Sequence, residues 1–93
     1  IWWNPKQQDD RGWGYGGVAG RPRSPEEFLA RYAGLTGALL ENPRMCAFCY
    51  TQLTDIEQEQ NGMYYYDRSR KFTDAVYAQI RRANTKKAAY EEE

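Results

Sequence analysis

Residues 45–53 constrain the fold more than any other part of the sequence. Their two alternating sets are both apolar or aromatic, with Met45, Ala47 and Cys49 in one set and Cys46, Phe48 and Tyr50 in the other. Successive side chains of a strand point to opposite faces of its sheet. A strand here therefore needs cover on both faces, which is typical of a parallel sheet. The pattern predicts a buried strand over 45–53 with neighbours on both edges.

An amphipathic helix is predicted on each side of this strand. Ser24 is suited to the N-cap, Pro25 to the first helical position and Glu27 to a capping box, so a first helix is expected over 24–42 and a second over 73–90. Their apolar residues recur at helical spacing: Phe28, Leu29, Tyr32, Leu35, Thr36, Leu39 and Leu40 in the first helix, and Val76, Tyr77, Ile80 and Ala83 in the second.

The predicted order of elements is that of an α/β protein. An aromatic and glycine-rich loop (1–23) precedes the first helix, and a polar loop (54–72) joins the strand to the second helix. A parallel strand alternating with helices indicates βαβ units, but this chain supplies only one such strand. We therefore expect part of a larger α/β domain, and the isolated chain is expected to self-associate through its unpaired strand edges.

Charge and hydropathy narrow the classes of partner. Thirteen basic and thirteen acidic residues cancel, so no net field attracts nucleic acid or an anionic membrane. No apolar run reaches the roughly 18 residues that a membrane span needs. These features favour a neutral partner.

Cys46 and Cys49 have the spacing of a redox pair or of half a zinc site. Zinc takes four ligands, and the chain has no histidine and no other cysteine. Because a strand would point the two thiols to opposite faces, we predict buried, unpaired cysteines. Unpaired thiols favour a reducing compartment such as the cytoplasm.

The polar stretch after the predicted strand allows three interpretations. As a calcium loop, it would place Glu57, Glu59, Asn61 and Gly62 at ligand and turn positions, but Arg68 falls where the closing glutamate belongs. As an exposed turn, its Asn61-Gly62 pair would close a local hairpin. As the rim of a sugar site, it would lie at the carboxyl end of a barrel strand.

The aromatic loop supports the sugar interpretation. Flat rings pack on the apolar faces of a pyranose, whereas its hydroxyl groups need polar partners. The rings available are Trp2, Trp3, Trp13 and Tyr15, and the polar groups are Gln52, Asp55 and Glu57. Each tryptophan could instead simply pack beneath the loop.

Three stretches resemble a known family. "FCYTQLTDIEQEQNGMYYYDRSRKF", "WGYG" and "SPEEFLARYAGLTGALL" resemble the end of the catalytic barrel in glycoside hydrolase family 2, the β-galactosidase and β-glucuronidase relatives. The resemblance covers nearly the whole chain. It implies the C-terminal part of a (β/α)8 TIM barrel from a retaining β-glycosidase that is β-galactosidase-like. Separately, no cofactor or metal is expected.

The resemblance also implies where substrate would be met. Trp2 and Trp3 would enter the active-site rim, while Gln52 and Asp55 would sit at the mouth of the last strand, with Glu57 close by. The family's two catalytic glutamates match no residue here, so the 93-residue chain alone is predicted to be inactive. An independent carbohydrate-binding or protein-interaction module is the alternative.

Overall fold

The structure, a computed structural model, describes residues 1–5 and 12–92. Its helices are α1 (Gly17–Gly20), α2 (Pro25–Glu41), α3 (Asp74–Thr85) and a final 3-10 helix (Ala89–Glu92). None of the described helices is long and apolar enough to cross a membrane.

Helix α2 confirms the helix predicted over 24–42. The Ser24 hydroxyl accepts a hydrogen bond from the Glu27 backbone N–H at 3.1 Å, which satisfies one of the free donors of the first turn. The Glu27 carboxylate accepts from the Arg23 N–H at 2.8 Å, one residue earlier than in a capping box. Asn42 ends the helix, and its N–H bonds back to the Leu39 carbonyl.

Helices α2 and α3 pack against each other and contribute to the apolar core. Phe28 of α2 is fully buried, and its ring lies 4.7 Å from that of Phe72. The Tyr32 hydroxyl donates to the Asn84 side chain at 2.6 Å, which fixes the register of the two helices. The core consists of Trp3, Phe28, Tyr32, Met63, Phe72 and Ile80.

The polar loop folds back on itself through single bridges rather than a ladder. Thr54 pairs with Tyr64 in a parallel bridge, and Trp13 pairs with Glu59 in another. Ile56 and Glu59 exchange both backbone hydrogen bonds, at 3.1 and 2.9 Å. The tight turn of this loop thus lies between Ile56 and Glu59.

The strand predicted over 45–53 is absent from the described residues. No backbone-to-backbone hydrogen bond within the described part of the chain involves residues 46–51, and Met45, Phe48 and Leu53 are 37%, 40% and 70% exposed. A strand exists only through hydrogen bonds to a neighbour, and among the described residues only Gln52 and Leu53 at the end of this segment accept such bonds, from Met63 and Tyr64. The prediction of a barrel fragment stays a prediction, because a barrel would supply those neighbours from outside this sequence.

The prediction of buried cysteines is wrong for this structure. Cys46 and Cys49 are both exposed free thiols, because the segment that carries them lacks the cover that a sheet would give. The predicted hairpin at Asn61-Gly62 is also wrong. Asn61 is fully buried, since the loop wraps around it instead of turning there.

The second helix is shorter than predicted. It ends at Thr85 rather than at residue 90, and the chain resumes as a 3-10 helix at Ala89. Asn84 and Thr85 are weak helix formers, and the Thr85 hydroxyl donates back to the Arg81 carbonyl at 2.8 Å. The loop predicted over 1–23 likewise contains a short helix, α1.

Candidate functional site

A buried ion pair forms the centre of the polar loop. The Lys71 ammonium donates to the Asp55 carboxylate at 2.7 Å, and the two side chains are 0% and 4% exposed. Lys71 also donates to the backbone carbonyls of Trp3 at 2.6 Å and Gln60 at 3.4 Å. Asp55 accepts a further bond from the Gly62 N–H at 2.8 Å. One ammonium group therefore ties together three separate stretches of chain.

Burial and pairing act in opposite directions on this pair. Burial raises the pKa of the Asp55 carboxyl, while the Lys71 ammonium and the Gly62 N–H oppose that rise. Burial lowers the pKa of Lys71, and Asp55 opposes that fall. The cost of removing both charges from water thus offsets much of their attraction. Removing either partner would leave an uncompensated buried charge.

Asn61 is the second hub of the loop. Its carbonyl accepts from the Tyr50 hydroxyl at 2.8 Å, and its side-chain oxygen accepts from the Tyr15 N–H at 2.7 Å. Its amide nitrogen donates to Glu59 at 3.3 Å. Burial raises the pKa of Tyr50, so this phenol stays protonated and keeps donating. Asn61 thereby joins the end of the apolar segment to the aromatic loop.

Gly62 lies where no side chain fits. A Cβ atom there would stand 2.3 Å from the Asp55 nitrogen and 2.4 Å from the Thr54 carbonyl carbon. Both neighbours are backbone atoms, which cannot rotate away. The glycine therefore serves close packing rather than a turn.

The tryptophans predicted to contact substrate are inside the structure. Trp2 is 4% exposed and donates its indole N–H to the Gln60 side chain at 2.9 Å. The guanidinium group of Arg21 lies 4.9 Å from the centre of its ring. Trp3 is 9% exposed and belongs to the apolar core.

Two buried donors in this region lack an acceptor. The Trp3 indole N–H and the Gln52 amide nitrogen have no hydrogen-bond partner among the residues that the structure describes. An unsatisfied buried donor costs on the order of 1–3 kcal/mol. Trp3 and Gln52 are therefore sequence-predicted site residues whose buried donors are unsatisfied.

The other two predicted site residues, Asp55 and Glu57, differ sharply in exposure. Asp55 is buried and committed to Lys71 and Gly62, whereas Glu57 is exposed at the tip of the tight turn, with a φ of 50°. The structure therefore does not gather Trp2, Asp55 and Glu57 around one open surface.

Sequence reasoning missed the residues that hold the site together. Lys71 closes the centre of the network, and Gln60 and Asn61 link it to the aromatic loop. A polar loop with a single lysine ahead of an apolar residue gives little signal of burial. The one available clue was that Asp55 and Lys71 flank a stretch that includes the apolar and aromatic residues 63–66.

Metal binding finds no support in the described residues. They contain no group of three or more His, Cys, Asp or Glu side chains placed to hold an ion. Glu59 and Asn61, two members of the considered calcium loop, are bonded to each other.

Comparison with protein-family models, with curated proteins and with solved structures found no match. The site must therefore be interpreted from its own chemistry. It holds a hydrogen-bonded polar frame around the paired Asp55 carboxylate, and the aromatic residues Trp2, Tyr50 and Tyr65 contact that frame.

Proposed function

We propose that this chain is the C-terminal part of the catalytic barrel of a retaining β-glycosidase of glycoside hydrolase family 2, β-galactosidase-like in type. Within the complete enzyme it would supply the last barrel segment and substrate-side groups. The two catalytic glutamates would come from residues that this sequence does not contain.

One observation carries the proposal: the residues that resemble the family motif form one hydrogen-bonded network. Asp55, Gly62 and Lys71 are separated along the chain but meet at one carboxylate. Tyr50 and Asn61, two further members of the motif, bond to each other beside it. Such a frame suits a loop that must stay fixed at the mouth of a strand, because substrate contacts require preorganised supporting groups.

The exposed apolar surface gives further support. Residues 45–53 lie beside helix α2, and a cavity of about 370 Å³ between them is lined by apolar and aromatic side chains that include Tyr32, Leu39 and Phe48. Soluble proteins seldom expose such patches without a partner. Neighbouring barrel strands would cover this surface and restore the strand predicted here.

The experiment is to express the complete polypeptide that the gene encodes, together with the 93-residue chain, and to assay both on aryl β-galactosides, β-glucuronides and β-glucosides. We expect hydrolysis with retention of anomeric configuration, followed by NMR, from the complete polypeptide only. A complete polypeptide that folds but hydrolyses none of these substrates would refute the proposal, as would turnover by the purified 93-residue chain.

A further inference from the structure

The stretch from Gly12 to Gly16 alternates glycine with aromatic residues, and its two sides have different environments. A Cβ atom on Gly12 would lie 2.3 Å from the Gln60 side-chain oxygen, and one on Gly14 would lie 2.2 Å from the Trp2 Cβ. Only glycine allows this approach. The glycine side therefore packs directly on the polar frame.

Hydrogen bonds hold the same stretch in place. The Trp13 N–H donates to the Gln58 carbonyl, and the Gln60 N–H donates to the Trp13 carbonyl, both at 2.7 Å. The Tyr15 N–H donates to the buried Asn61 side chain, also at 2.7 Å. The backbone that carries both aromatic residues is thus bonded on either side of Gly14.

The aromatic side faces solvent. Trp13 is 47% exposed and Tyr15 is 57% exposed, and their rings lie 6.1 Å apart at an interplanar angle of 86°. The hydrogen bonds fix the backbone of this stretch without burying its rings, unlike those of Trp2 and Trp3. Two roughly perpendicular rings are therefore exposed on a hydrogen-bonded backbone.

A carboxylate side chain belongs to the residue whose backbone pairs with Trp13. Glu59 is the bridge partner of Trp13, so the two side chains project from the same face of the paired backbones. Glu59 is partly exposed, and Asn61 orients it through a hydrogen bond of 3.3 Å. A flat ring beside an oriented carboxylate matches a pyranose, which has an apolar C–H face and a rim of hydroxyl donors.

We propose that Trp13, Tyr15 and Glu59 form a pyranose-binding platform, in which a ring stacks on the sugar and Glu59 accepts from its hydroxyl groups. This inference rests on the proposed function for its choice of ligand. Trp13 and Tyr15 are among the rings that the sequence offered, but the platform differs from the assignment implied by the family resemblance, which placed substrate contact at Trp2 and Trp3, both of which are buried.

Fluorescence can test the platform in the 93-residue chain, because Trp13 is far more exposed than the 4% and 9% of Trp2 and Trp3. Acrylamide should quench Trp13 selectively, and methyl β-D-galactopyranoside or methyl β-D-glucopyranoside should protect it. Mannitol has similar hydroxyl groups but no apolar ring face and should not protect. Equal quenching with and without either glycoside would overturn the platform.

Variants assign the effect to the platform. Tyr15→Ala should weaken glycoside protection by about two- to twelve-fold, the range expected for one aromatic contact, and Glu59→Gln should weaken it as well. Tyr66→Ala is the matched control, because Tyr66 is 63% exposed but lies outside the platform. Circular dichroism verifies that each variant is folded, and a folded Tyr15→Ala chain with undiminished protection would contradict the proposal.

The outcome is separable from that of the proposed function. An active complete polypeptide whose Trp13 is unprotected by glycosides would overturn the platform alone. An inactive complete polypeptide combined with protected Trp13 would overturn the glycosidase proposal and support a carbohydrate-binding platform.

Discussion

Two adjacent stretches of this chain reverse the usual relation between hydropathy and burial. The apolar segment 45–53 is largely exposed, with Leu53 at 70%, whereas the polar loop that follows encloses Asp55 at 3% and Asn61 at 0%. The polar loop finds its hydrogen-bonding partners within the described residues. Residues 46–51 of the apolar segment, by contrast, make no backbone-to-backbone hydrogen bond within the described part of the chain. The two stretches therefore differ in how many of their hydrogen bonds are made within the described residues, and this difference, rather than polarity, decides which one is buried.

The largest effect is expected from removing one member of the buried ion pair. Lys71→Met should destabilise the chain by about 3–5 kcal/mol, because it leaves the Asp55 carboxylate buried without its cation. Urea denaturation measures the change. The matched control is Lys86→Met, since Lys86 lies 4.0 Å from Glu41 in an exposed pair and should cost at most about 1 kcal/mol.

A double variant sharpens this test. If Asp55→Leu is added to Lys71→Met, no buried charge remains and much of the stability should return. Equal losses of unfolding free energy in the Lys71→Met and Lys86→Met variants would show that the buried ion pair contributes no more to stability than the exposed one.

Two glycines should respond to alanine with opposite signs. Gly62→Ala should cost about 1–3 kcal/mol, because its Cβ would meet the backbone of the packed loop at 2.3 Å. Gly37 lies within helix α2, and a Cβ there meets nothing within 4 Å, so Gly37→Ala should stabilise by about 0.5–1 kcal/mol. Thermal and urea unfolding measure both changes in stability. If both variants are stabilised, the loop around Gly62 tolerates a side chain and the prediction is wrong.

The buried carboxyl should leave a signature in the pH dependence of stability. Because burial raises the pKa of folded Asp55 above its ordinary value of 3.8, its favourable contribution is complete below that pH and is lost as the pH rises through the folded-state pKa. As the pH falls from 7 to 3, the unfolding free energy of the unmodified chain should therefore rise relative to that of the Asp55→Asn variant.

Comparing the two chains cancels the titration of the other carboxyl groups to first order. Glu26→Gln, which removes an exposed carboxylate, is the control. A difference that moves the opposite way on acidification would mean that the ion pair lowers the pKa of Asp55 more than burial raises it.

The smallest effect is expected in the apolar segment. Leu53→Ala should change the stability of the 93-residue chain by no more than about 0.5 kcal/mol, because the side chain is mostly in water. Ile80→Ala, which empties a core position that is 7% exposed, should cost about 2–5 kcal/mol. A large loss at Leu53 would show that the segment already has a partner, for instance a second copy of the chain.

The sequence allowed the helices to be predicted because their signals are local. Ser24 and Pro25 specify where α2 begins through contacts within one turn, and the apolar spacing around Phe28 specifies its buried face. The strand over 45–53 could not be judged in the same way. Its formation depends on hydrogen bonds to other strands, and the described residues offer none to residues 46–51.

The candidate site was harder to predict than the helices. Asp55 was recognised as important, but its partner Lys71 lies far along the chain, and only the folded loop brings the two together. Trp2 and Trp13 look alike in sequence. Their burial differs because Gly12 and Gly14 let the backbone on either side of Trp13 approach Gln60 and Trp2 closely. This close approach exists only in the packed structure.

The alternation from Gly12 to Gly16 also bears on how this protein can diversify. Its glycines carry the fit to the rest of the fold, while Trp13 and Tyr15 project away from it. Most exchanges at positions 13 and 15 should therefore alter the displayed surface without disturbing the scaffold beneath. A randomised library confined to these two positions would sample new ligand preferences at little risk to folding, whereas a library at position 14, where a Cβ would lie 2.2 Å from that of Trp2, would yield many misfolded chains.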